Sequence, residues 1–174
     1  MHFRIEQRFH AGLAAVEGAL TDPAFLTRLA SLPKLGQPTL LEQQSDGDLI
    51  RQRVRYAFVG DLSSAVRAVV DPKLLTWVED STINRHDHHT VFRIIPDHYG
   101  NLLKAAGTFQ LQTAGDGCLR SADGEVHVAV PLVGRKVEAA IVSGLADHAA
   151  LEVDVMNAWL ADGPRAAQPG PGST

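Results

Sequence analysis

A chain of 174 residues, 45% hydrophobic, 21% charged and with a formal net charge of -4, can bury a full core as one domain, and two domains are not expected. Its Lys and Arg residues are scattered rather than clustered, which argues against nucleic acid or an anionic membrane surface as the main partner. Cys118 is the sole cysteine, Met1 to Phe9 lacks the basic-then-apolar pattern of a secretory signal, and no apolar window reaches the length of a membrane span, so a cytoplasmic protein without stable membrane insertion is expected.

The first element reads as a strand: Phe3, Ile5, Gln7 and Phe9 alternate with His2, Arg4, Glu6 and Arg8, the period of a half-buried strand. Two short helices follow. Leu13, Val16 and Leu20 mark one face of the first; Asp22-Pro23 supplies a cap and a first-turn proline for the second, which carries Phe25, Leu26 and Leu29 and ends at Pro33. From Gln37 to Val130, turn signals at Asp46-Gly47, Gly60-Asp61, Asp71-Pro72, Asn84 to Asp87, Pro96 to Gly100 and Gly115 to Gly117 divide the chain into a meander of about six or seven antiparallel strands. Between Leu49 and Val59, Ile50, Val54, Tyr56 and Phe58 share one face and Arg51, Arg53 and Arg55 the other, which should be wet. Val126, Val128 and Val130 repeat the pattern opposite Glu125, His127 and Ala129. One sheet face is therefore apolar throughout.

From Val133 to Leu160 the pattern becomes helical. Val137, Ile141, Gly144, Leu145, Leu151, Val155 and Trp159 form a stripe, widened by Val142, Ala149, Val153, Met156 and Leu160, against a polar face of Lys136, Ser143, Asp147, Asp154 and Asn157. That surface is wider than packing on one sheet requires, so the surplus must meet other helices, a partner subunit or an internal cavity. Residues 162–174, rich in Pro, Gly and Ala, read as a disordered tail behind a single domain of residues 1–161.

Strand, two short helices, meander and long C-terminal helix together give an α+β chain that resembles the helix-grip fold of the START-like (SRPBCC) superfamily, which includes the birch pollen allergen and polyketide cyclase/dehydrase relatives. Met1-His2-Phe3-Arg4-Ile5, Leu20-Thr21-Asp22-Pro23-Ala24-Phe25, Gly60-Asp61-Leu62-Ser63-Ser64-Ala65-Val66, Val70-Asp71-Pro72 with Leu75-Thr76-Trp77-Val78-Glu79, and Val130-Pro131-Leu132-Val133-Gly134 are similar to an uncharacterised actinobacterial branch, domain-of-unknown-function family 2505, which carries no assigned activity. The resemblance implies a curved sheet of about seven strands wrapped around the long helix, an apolar cavity between them, and a ligand that is a lipid, sterol, polyketide or other hydrophobic small molecule. The candidate lining is Tyr56, Phe58, Trp77, Phe92, Phe109, Val128, Ile141, Gly144, Leu145 and His148.

Within the apolar arc His148 is the sharpest chemical candidate. A neutral imidazole there can donate to a ligand carbonyl or act as general acid/base with Glu152 orienting it, or it can be a core histidine bonded to backbone or to Tyr56. Gly144 would let a strand or a ligand approach the helix axis. His86-Asp87-His88-His89 offers metal-ligand chemistry, but strand alternation splits the set between two faces, and a wet hairpin tip explains the composition as well. Ser63 and Ser64 lack a nucleophile elbow, Cys118 has no adjacent base, and Gly115-Asp116-Gly117 reads as a hairpin turn. Arg135 and Lys136 could meet an anionic head group at the cavity mouth. No metal or other cofactor is expected. A carrier or sensor of a hydrophobic molecule is favoured over a cyclase or dehydratase using His148, and a homodimer using the surplus arc is the third reading.

Overall fold

The computed structural model of the chain describes residues 1–62, 64–67 and 70–163. Its elements are β1 (His2–Phe9), α1 (Leu13–Leu20), α2 (Pro23–Arg28), β2 (Thr39–Asp46), β3 (Leu49–Ala57), α3 (Ser64–Arg67), β4 (Thr76–Asn84), β5 (His89–Pro96), β6 (Leu103–Ala114), β7 (Gly117–Val128) and α4 (Gly134–Asp162). The strands form one seven-stranded sheet in the order β1-β7-β6-β5-β4-β3-β2, antiparallel at every pairing. β1 and β2 thus stand at opposite edges, joined by α1 and α2. This is the helix-grip fold.

Local chemistry explains most boundaries. The Asp22 carboxylate caps α2 by accepting from the Ala24 amide at 2.8 Å, with Pro23 in the first turn. Gly47 and Gly115 take positive φ at the β2–β3 and β6–β7 turns, conformations that cost glycine little. Two expectations need correction. The β3–β4 connection is not a simple turn, because it holds α3 and a 3-10 turn at Pro72–Leu74 whose cap is Asp71. The long helix runs through Asp162, one residue beyond the expected domain limit, and the rest of the expected tail, residues 164–174, lies outside the described residues.

The alternation holds on both faces. On β3, Ile50 and Val54 are buried while Arg51, Arg53 and Arg55 are exposed, two of them facing Glu42 and Asp97. Phe9, Val16, Phe25, Leu26, Leu29, Val54, Leu111, Cys118 and Met156 close the core where α1 and α2 meet the C-terminal half of α4. Space is short where Gly107 pairs with Gly124: a Cβ on Gly124 would lie 2.6 Å from the Phe3 ring and 2.9 Å from the Ala106 carbonyl oxygen. Gly134 opens α4 for the same reason, since a Cβ there would collide with the Val128 carbonyl oxygen.

Gly124→Val should therefore destabilise the protein by about 1–3 kcal/mol, the usual cost of overpacking. Urea unfolding checks this, and an unchanged midpoint would mean that the strand pair shifts freely.

Candidate functional site

Glu138, Leu145 and Glu152 recur every seven residues, about two helical turns, so they lie along one side of α4. Their burial inverts the usual order: Glu138 and Glu152 are each 7% exposed, whereas Leu145 between them is 39% exposed. Leu151, also expected in the apolar stripe, is equally exposed, and the buried seam near the C-terminal end is Ala149, Glu152 and Met156. The main-chain approaches of α4 are to β1 and β7 on the sheet and to α1 and α2.

Each buried carboxylate is anchored. Glu138 accepts the Val128 amide at 2.9 Å, and that bond holds its carboxyl below the usual range. Glu152 accepts from the Arg120 guanidinium at 2.5 Å and from the Gln7 amide at 3.0 Å. Gln7 also donates to the Ala149 carbonyl at 2.7 Å and accepts from Arg120 Nε at 2.7 Å. Burial alone would raise the pKa of Glu152, but Arg120 and Gln7 outweigh it and hold the group ionised below its ordinary value. Arg120 is itself buried, its guanidinium 5.0 Å from the Phe109 ring centre, so the ion pair meets the geometric conditions that favour a desolvated pair.

Across from the helix, register places Tyr56, Trp77 and Pro96 in one inward row, Val54, Glu79 and Ile94 in the next, and Gln52, Ser81 and Phe92 in the third. Gln52, Val54, Ser81 and Phe92 are buried, but Tyr56, Trp77, Glu79 and Ile94 keep partial exposure although they stand mid-sheet on the helix side. Burial nevertheless pushes the Glu79 carboxyl up to about 7, with Arg120 opposing and Glu152 reinforcing the shift. The Tyr56 phenol is raised by burial and then by the charges of Glu79 and Glu152. Gln52 Nε2 and His148 Nδ1 are buried without a hydrogen-bond partner, a condition that is uncommon and marks a site for scrutiny.

The expected lining residues do not all converge. Tyr56 stacks on Trp77 with ring centres 5.9 Å apart, and Phe92 stacks on Phe109 at 4.7 Å. Ile141, Gly144, Leu145 and His148 line the middle of α4, all partly exposed. Phe58 lies past the end of β3, where a Cβ on Gly60 would touch its ring at 2.8 Å. Val128 belongs to the Glu138 anchor, beside a surface recess of about 520 Å3 that Leu132 and Arg135 also line. Gly144 does not serve close packing, because a Cβ there would meet nothing within 4 Å. His148 has no bond to Tyr56 or backbone at Nδ1, and its pKa is lowered by burial. Glu152 is committed to Arg120 and Gln7 rather than to orienting His148. At the β4–β5 turn, Asn84 and Asp87 accept the His86 and His89 amides at 3.0 and 3.3 Å, while His88 Nδ1 faces Glu17 at 3.0 Å. The set does not converge, and among the described residues no three metal-ligating side chains are gathered. Arg120, Glu79 and Gln52 escaped the sequence reading; the available signal was a polar residue in the inward phase of an apolar strand.

A family model described as "Protein of unknown function (DUF2505)" matches residues 4–160. No curated protein matches the chain. Solved structures of similar shape include TTHA0849 from Thermus thermophilus, at 15% identity and TM-score 0.67, covering 94% of this chain and 99% of that one. Zhui aromatase/cyclase from Streptomyces sp. R1128 has 13% identity and TM-score 0.60, with 96% and 97% covered. Norcoclaurine synthase from Thalictrum flavum has 17% identity and TM-score 0.61, with 93% and 87% covered. At such identities these likenesses establish the START-like fold alone.

Two outcomes follow from the electrostatics. Arg120→Met leaves Glu152 buried without its cation and should cost about 3–5 kcal/mol in urea unfolding; a loss below about 1 kcal/mol would class the pair with solvated surface bridges. Glu79 binds its proton more tightly folded, near pH 7, than unfolded, near pH ~4.3, so its contribution to stability is lost as pH rises through that interval. His148, shifted down, acts in the opposite sense below about pH 6.5. The stability gained on Glu79→Gln should therefore grow between about pH 5 and about pH 8, and a difference independent of pH would show that Glu79 titrates normally.

Proposed function

We propose that this chain, which belongs to the DUF2505 family, binds or carries a hydrophobic small molecule, such as a lipid, in a cavity between α4 and the inner face of β3 to β6. One observation carries the reading: Leu145 shares its helix phase with two buried carboxylates yet is 39% exposed. An exposed apolar side chain in the helix phase of two buried carboxylates supports room beneath the helix. The partial exposure of Tyr56, Trp77 and Ile94 on the facing strands supports it, as does the absence of a steric neighbour at Gly144. Apolar walls with a few polar groups are the usual make-up of a small-molecule site.

The second reading is an enzyme of the cyclase or dehydratase kind with His148 as acid/base. Its support is the unpartnered Nδ1 of a neutral imidazole, and the likeness to an aromatase/cyclase belongs with it. The binding reading stands first because Glu152, the expected orienting partner, is held by Arg120 and Gln7. Self-association through the exposed Leu151 on α4 is a separate proposal, and a monomer in sedimentation at low concentration would remove it. No described helix is long and apolar enough to cross a membrane.

Native protein should release a hydrophobic compound detectable by mass spectrometry. It should also bind an uncharged fluorescent apolar dye, and Leu145→Trp, which fills the proposed space, should weaken that binding by about tenfold or more without lowering the thermal midpoint. Undiminished binding by Leu145→Trp would place the ligand elsewhere. No co-purified compound and no dye binding together would remove the carrier reading.

A further inference from the structure

The proposed cavity is not chemically neutral. Glu79 lies directly between Val54 and Ile94 in the sheet register, so its cross-strand neighbours offer no charge or hydrogen bond. The charged and titratable groups whose fields reach it are Tyr56 from β3, Arg120 from β7 and Glu152 from α4, while His148 on α4 meets Glu152 and Arg120. Arg120 is already engaged by Gln7 at 2.7 Å and by Glu152 at 2.5 Å. One guanidinium therefore serves two carboxylates, and when both ionise the interior holds one surplus negative charge.

The surroundings select among ligand head groups. Beside Glu79 on the inward face, two residues back along β4, stands Trp77, stacked on Tyr56 at 5.9 Å. Aromatic faces carry negative quadrupole potential and attract cations, more strongly where water is excluded. A carboxylate and an aromatic pair side by side on the inward face form an environment for a cation. An anionic head would meet the surplus negative charge instead.

We infer that the ligand is a hydrophobic amine bound as its ammonium ion, with the cation on the Glu79 carboxylate against the Tyr56–Trp77 pair and the apolar body under the middle of α4. The inference rests on the proposed cavity, and it adds the ligand's charge and polarity. Binding an ammonium stabilises ionised Glu79, so the free protein releases a proton from that carboxyl as the amine enters. The amine's affinity must then rise with pH through the range where Glu79 titrates.

Decylamine, decanol and decanoate share one tail and differ in head group, so calorimetric titration of the full chain with each separates tail from head. The expected order at about pH 8 puts decylamine about tenfold or more ahead of decanol, with decanoate weakest. Decylamine affinity should increase from about pH 6 to about pH 8 while that of decanol stays constant. In Glu79→Gln the ratio of amine to alcohol affinity should fall to about one. Equal binding of amine and alcohol by the native protein, or a preference for decanoate, overturns the inference and leaves a hydrophobic site intact. Failure of all three to bind removes the cavity reading with it.

Discussion

The arrangement of the molecule depends on two buried carboxylates that fix α4 to the sheet. Glu138 holds the Val128 amide and Glu152 holds Arg120 and Gln7. They are fourteen residues apart in sequence, about 21 Å along the axis. A charge-assisted bond has direction and length, whereas apolar contact has neither. The helix is thus set at two points, and the turns between them need not descend onto the sheet. Leu145, midway between them, is exposed.

The sheet contributes through the sizes of its inward residues. The inward rows of β6 and β7 are Ala105 with Val126, Gly107 with Gly124 and Phe109 with Ala122. The two glycines leave room for the Phe3 and Phe92 rings, which a Cβ at either position would meet. Phe9, Phe25 and Met156 fill the end under α1 and α2, and Tyr56, Trp77 and Phe92 stand on the far strands. Stability and the proposed binding space are thus divided along the axis of α4. One end is packed as a core, and the proposed binding space lies against the middle.

That division has an electrostatic counterpart. Arg120 neutralises Glu152 so completely that the latter stays ionised despite burial, while Glu79, reached by the same guanidinium at one remove, has its pKa raised to near neutrality. The difference is hydrogen bonding: Glu152 accepts two strong donors, and Glu79 faces apolar neighbours across both adjacent strands. Similar carboxyls in one interior come to differ in charge through their contacts alone.

Element order, the outward arginines of β3 and the Asp22-Pro23 cap were legible in the sequence, because period, caps and turn residues are local, and the helix-grip fold followed from the family resemblance that this order carries. So was the inward position of Tyr56, since alternation along β3 settles which face a strand residue occupies. The importance of Arg120, Glu79 and Gln52 was not, although each breaks an apolar phase, because a period shows facing and does not show partners. Leu145 and Leu151 illustrate the limit on α4: hydrophobicity placed both in the buried stripe, and both are exposed in the folded chain. By itself the sequence determined the elements, their order and the faces they present, all of which follow from interactions within a few residues. Only the tertiary structure decided which buried carboxyl is paired and which stands alone, because Arg120, Gln7, Glu79 and Glu152 are far apart in the chain and meet only when the sheet curls around the helix.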